Sequence, residues 1–110
     1  MTTRSTRLLA GHVDQSGSYP QFVCPPATVA LIKDVRAWNN SASQSLVLVS
    51  LEASGSTALF YLLNQLLDSG KAVSLEPWVV MESGDVLLAW TNSGQFEIWV
   101  SGALLPVGAQ

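Results

Sequence analysis

STALFYLLNQLLDSG, running from Ser56 to Gly70, decides the fold class, because its apolar residues satisfy two incompatible periods. Leu59, Leu62, Leu63, Leu66 and Leu67 recur at helical spacing, with Ser56 or Thr57 placed to cap the start and Gly70 to end it. Against that, Leu59 to Leu63 contains Phe60 and Tyr61, which favour a pleated surface, and a bulge near Asn64 would turn the whole stretch into one long strand. Taken alone, the stretch leaves helix and strand even.

The flanking segments read as extended. Ser5 to Val13 is a short strand, and Pro25 and Pro26 forbid helix at the entry to TVALIKDVRAWNN. There Val29, Leu31, Lys33, Val35 and Ala37 alternate with Ala30, Ile32, Asp34, Arg36 and Trp38, a period of two with both faces partly apolar. Asn39 to Ser43 supplies turn residues, and SLVLVSLEA follows with Val47, Val49, Leu51 and Ala53 on one side and Leu46, Leu48, Ser50 and Glu52 on the other. The two segments read as a β-hairpin with a loop of about five residues. KAVSLEPWVVM is extended, with Pro77 tolerated at an edge or bulge. Glu82 to Asp85 is a turn in which Gly84 can take a positive φ and Asp85 can bond local amides. VLLAW, the turn Thr91 to Gly94 and QFEIWVSGALL complete a meander in which Phe96, Ile98 and Val100 alternate with Glu97, Trp99 and Ser101. The count is about eight short extended segments between Gly, Ser, Asn, Asp and Pro turns, the signature of a β-sandwich or barrel, and the expected fold is all-β, a single antiparallel β-sandwich of jelly-roll or Ig-like type.

The 110 residues fit one domain, 1–110, with 1–4 and 106–110 as flexible or partner-held tails. Hydrophobic residues make up 48% of the chain and charged residues 12%. The charged share is about half the usual ~25%, which leaves little polar material to cover a small surface and implies apolar surface covered by partners. Five basic and eight acidic residues give a formal net charge of -3, and the scattered bases argue against nucleic acid as a partner. The start has too brief an apolar stretch for a secretory signal, and no segment approaches the ~20 apolar residues that span a bilayer, so a cytoplasmic product without a membrane partner is expected.

Chemistry is sparse. Cys24 is the single cysteine and reads as a small packed hydrophobe beside Val23, Pro25 and Pro26. His12, the single histidine, cannot build a multi-histidine metal site and has Asp14 as its nearest acid. Glu82 and Asp85 lack the dense alternating carboxylates of calcium loops and read as solvated turn acids. GxSxG, GxGxxG, HExxH and P-loop patterns are missing, and Ser54-Gly55-Ser56 has no partner base. The expectation is a non-enzymatic protein without metal or cofactor.

The aromatic residues carry more information. Trp38, Trp78, Trp90 and Trp99 each lie in or beside an extended segment, where they can fill a core, anchor a protein interface or stack on sugars. Core filling is the commonest role of each taken singly. With so few charges, at least one should lie at a subunit or partner contact, and Tyr19 and Tyr61 can act likewise. The expected interface residues are Trp38, Tyr61, Trp78, Trp90 and Trp99.

YPQFVCPPATVALIKDVRAWNNSAS, the turn in WVVMESGDVL and the closing FEIWVSGALLP together form a pattern that resembles the small β-sandwich virion accessory proteins of tailed bacteriophages, especially those of actinobacterial phages. Such proteins decorate capsids or serve as minor tail proteins. The resemblance rests on Pro26 to Ser41 and Trp78 to Leu87. It tips Leu59 to Leu67 toward strand. It implies a structural protein made in the host cytoplasm and assembled in many copies on the virion, by apolar faces and edge strands, against other virion proteins and copies of itself, with a trimer as the expected oligomer. It brings no catalytic residues. The rival expectation is a carbohydrate-binding module that attaches to a host surface glycan through the tryptophans.

Overall fold

Alternating apolar residues punctuated by turns leave the chain extended throughout. The computed structural model describes residues 6–55 and 59–107, and among them there is no helix. The strands are β1 (Thr6–Val13), β2 (Gln21–Val23), β3 (Thr28–Trp38), β4 (Ser45–Glu52), β5 (Leu59–Leu67), β6 (Ala72–Leu75), β7 (Val79–Met81), β8 (Val86–Trp90) and β9 (Phe96–Pro106). One antiparallel sheet runs β1-β9-β3, with β6 and β7 sharing the far edge of β3; the other runs β2-β8-β4-β5. With β6 and β7 counted as one interrupted strand, this is the order of a jelly roll, so the protein is an all-β antiparallel sandwich.

The ambiguous stretch is strand β5. Its register on β4 jumps between Val49, opposite Leu63, and Ser50, opposite Tyr61, which makes Leu62 the extra residue of a bulge. The bulge reverses the side-chain parity, so Leu59 and Leu66, an odd number of positions apart, share the outer face, while Leu63 and Leu67 are buried. This reversal is what imitates helical spacing. Ser56 and Thr57, the caps of the helical alternative, lie outside the described residues, as do 1–5, Ala58 and 108–110.

Three connections differ from the expected hairpin and meander. β3 and β4 lie in opposite sheets, as do β7 and β8, and β8 and β9. Asn39 to Gln44, the Glu82–Asp85 turn and Thr91 to Gln95 are therefore arches between layers. Among the described residues, β4 and β5 are the one pair of consecutive strands that hydrogen-bond to each other. Alternation fixes which residues of a strand face inward, but it carries no signal for the strand alongside. Residues 106 and 107, expected in a tail, are held by the sheet: Pro106 closes β9 opposite Thr28 and the Val107 N–H donates to the Ala27 carbonyl at 3.0 Å.

Strand β3 departs from simple alternation. Its register on β9 shifts between Ile32 and Asp34, so Ala30, Ile32, Val35 and Ala37 all face the core. Lys33, the bulged residue, sits where parity changes, which keeps Asp34, Arg36 and Trp38 outward. On the neighbouring strand Gly102 is buried against β3, and a Cβ there would overlap the Leu31 carbonyl. Pro77 interrupts the edge between β6 and β7, as a residue without an N–H donor must. Trp78 follows in the left-handed region at φ 52° and is exposed.

The core between the sheets joins Ile32, Val35, Ile98, Val100 and Phe96 on one side with Val47, Val49, Leu63 and Leu87 on the other. No tryptophan is buried among the described residues, which corrects the expectation that core filling is their commonest role. Aliphatic side chains and one phenylalanine fill a layer about 10 Å thick, and the indoles fall on the outer faces.

Candidate assembly interface

The two outer faces differ in chemistry. On the five-stranded sheet, register pairing places Ala10, Trp99, Arg36 and Ser74 in one cross-strand row and His12, Glu97, Trp38 and Ala72 in the next. Several charges here are engaged by neighbours. The Arg7 guanidinium lies 5.6 Å from the centroid of the Trp99 ring, and Arg36 Nε donates to Asp34 Oδ2 at 2.9 Å. An open depression of about 410 Å³ lies beside Trp38, bordered by Arg36, Ala72 and Ser74.

His12 bonds to Glu97 through Nδ1, with Nε2 3.4 Å from Asp14. The Glu97 hydrogen bond holds the imidazole above its ordinary pKa of 6.5 against the opposing desolvation, with the charges of Glu97 and Asp14 adding to the rise. Bonds from the Ser16 hydroxyl and backbone N–H, with the nearby imidazole, hold the Asp14 carboxyl below its own ordinary value. Because the folded pKa of His12 lies above the unfolded one, its contribution to stability is complete below the unfolded value and is lost as pH rises through the raised one. Urea midpoints measured between about pH 5.5 and 8.5 are expected to fall with rising pH in the wild type, and H12Q should flatten that slope. An unchanged slope in H12Q would assign the pH dependence elsewhere.

The four-stranded sheet presents the opposite surface. Its outward positions are Gln21 and Val23 on β2, Val86, Leu88 and Trp90 on β8, Leu46, Leu48, Ser50 and Glu52 on β4, and Leu59, Tyr61, Asn64 and Leu66 on β5. Glu52 is the single charge among them. Trp90 stands between Tyr19 and Tyr61, with ring centroids 6.5 and 6.3 Å away, and its Nε1 donates to Ser50 Oγ at 3.3 Å. The Tyr19 hydroxyl donates to the Thr91 carbonyl at 3.1 Å, which fixes one end of this aromatic row.

The five expected interface residues are thus not one site. Trp38 and Trp99 lie on one outer face, Tyr61 and Trp90 on the opposite one, and Trp78 projects from the β6–β7 break. Leu59, Leu66, Leu88 and Val80 also belong to the exposed or half-exposed apolar surface and were not singled out from the sequence. The available signal was an apolar residue at an outward strand position, but for β5 that position could be assigned only once the bulge was known.

Neither remaining reactive group forms a site. Cys24 is buried, with Sγ directed at the Thr28 carbonyl, and burial pushes its thiol pKa up, away from the reactive thiolate. The Asp85 carboxylate accepts from the backbone N–H groups of Ser54 and Glu82, both at 2.8 Å, and so holds the β7–β8 arch together. Among the described residues no cluster of three His, Cys, Asp or Glu side chains stands ready for a metal ion.

The architecture places the chain among jelly-roll β-sandwiches. No family model and no curated protein matches the sequence. The fold is similar to that of the Drosophila NLP core, a solved structure described as giving insight into pentamer formation and histone binding. The two share a TM-score of 0.62 at 10% identity, over 91% of this chain and 99% of that one. This finding overturns the virion reading: this structural neighbour is described by histone binding and not as a phage accessory protein. The strand and turn pattern that carried the resemblance describes a jelly roll in general, and folds of this kind serve unrelated functions. The four tryptophans of the glycan-attachment expectation are divided between surfaces and form no single row.

Proposed function

We propose that this chain is a non-enzymatic assembly subunit, a jelly-roll module that associates with copies of itself. The observation that carries the reading is the outer face of the four-stranded sheet, where thirteen outward positions on four strands, all but the buried Leu48 and Ser50 open to solvent, include one charge, Glu52. A contiguous apolar face of this kind is costly to leave in water and is the usual mark of a contact surface. The engaged charges of the opposite face supply the contrast. Pentamer formation in the structural neighbour supports self-association of the same fold. Histone binding is stated of the neighbour, and here Asp34, Asp85 and Glu97 are already engaged by Arg36, backbone amides and His12. The proposal therefore stops at self-assembly.

Light scattering coupled to size-exclusion chromatography tests it. The wild type should elute as an oligomer, and L66E, which puts a carboxylate among the exposed apolar residues of the β5 edge of that face, should elute as a folded monomer. A wild type that stays monomeric at about 100 μM would sink the reading.

A further inference from the structure

The five-stranded sheet carries an apolar patch of its own, at the end away from the charged rows. Val80 on β7 is 54% exposed opposite Leu31, Leu105 is 37% exposed opposite Val29, and Trp78 beside them is 59% exposed. Trp78 reaches that exposure in a left-handed backbone conformation that large side chains rarely adopt, at φ 52°. The Lys33 ammonium, on the bulged residue of β3, stands 6.0 Å from the centroid of its ring. A strained, exposed tryptophan flanked by aliphatic residues has the composition of an interface anchor.

We propose that the subunits join head to tail: the outer face of the four-stranded sheet of one copy receives the Trp78, Val80 and Leu105 corner of the next. This deepens the self-assembly reading and rests on it. Charge selects the occupant. Glu52 is the lone charge of the four-stranded face, and a second copy of that same face brings no cation to meet it. The corner brings Lys33, already placed beside its anchor. Each patch thus supplies what the other lacks, apolar area against apolar area and an ammonium for a carboxylate. The two patches lie on opposite outer faces of one sandwich, so every subunit can use both at once. A contact between unlike patches propagates and closes into a ring when the rotation per subunit permits.

Complementation between two variants separates this arrangement from a symmetric one. L66E breaks the four-stranded face and keeps the corner; V80E breaks the corner and keeps the face. Both positions are exposed, at 56% and 54%, so each variant should retain the wild-type far-UV circular dichroism. Each alone should be monomeric, and an equimolar mixture should form heterodimers that grow no further, because one intact contact is left per pair. A monomeric wild type overturns self-assembly itself. An oligomeric wild type, with V80E still fully assembled, would show a symmetric contact between four-stranded faces and overturn the head-to-tail arrangement alone. Two monomeric variants that do not pair when mixed would overturn it as well.

Discussion

F96A is expected to lose about 3–5 kcal/mol of unfolding free energy. Phe96 has the largest fully buried side chain among the described residues, and it sits opposite Val13 where β9 begins to pair with β1. Truncation removes the transfer free energy of the ring and leaves a cavity that two hydrogen-bonded sheets cannot close by collapsing. The measurement is urea unfolding followed by tryptophan fluorescence, made in the L66E background so that protein concentration does not enter the midpoint. The four tryptophans lie outside the core, so the signal reports loss of the outer faces while the mutation acts within. A loss below about 1 kcal/mol would mean that the sheets repack around the gap, and that the core is less close-packed than its burial implies.

How far the sequence specified this fold can be judged from β4, β5 and β9. In β4 and β9 no bulge interrupts the parity, and Val47, Val49 and Leu51, and Phe96, Ile98 and Val100, face the core on the side that alternation selects, although Leu48 and Ser50 are buried on the other face of β4. In β3 and β5 one extra residue, Lys33 or Leu62, reverses the parity partway along. The pattern then records two half-strands in different phases, which in β5 imitates a helix. A bulge is stabilised by the neighbouring strand, so nothing local announces it. The partners of each strand were hidden for a related reason. The loops after β3, β7 and β8 have ordinary turn compositions, and whether such a loop folds back or crosses between layers depends on side chains reaching residues far along the chain. The candidate surface was legible in kind from the low charge and the tryptophans, but not in place. Assigning Tyr61 and Leu66 to the face that holds Trp90 requires the β4–β8 pairing.

Asn39 is the side chain that makes one of those crossings possible, and N39D should be among the most damaging isosteric changes in the protein. The residue follows β3 directly and is 1% exposed. Its Nδ2 donates to the carbonyls of Ser43 at 2.8 Å and Leu67 at 2.9 Å, and its Oδ1 accepts from the Ser41 N–H at 2.9 Å and the Ser41 hydroxyl at 2.6 Å. One amide thus ties the end of a strand in one sheet to the last residue of β5 in the other and shapes the arch between them. Aspartate keeps the shape and the acceptor but turns the donor into an oxygen facing two carbonyls. At neutral pH that buries an uncompensated charge, with an expected loss of about 3–5 kcal/mol. Burial and the facing carbonyls raise the folded pKa of the new carboxyl above its unfolded value. The protonated form can donate to one of the two carbonyls, so part of the lost stability returns below the unfolded pKa and disappears as pH rises through the folded one. N39A loses the same hydrogen bonds without gaining a titratable group, so the difference in unfolding free energy between N39D and N39A should depend on pH in that direction. A difference that stays constant from about pH 4 to 8 would show that water or a shifted loop reaches the site, and that the arch does not depend on this amide as its donor.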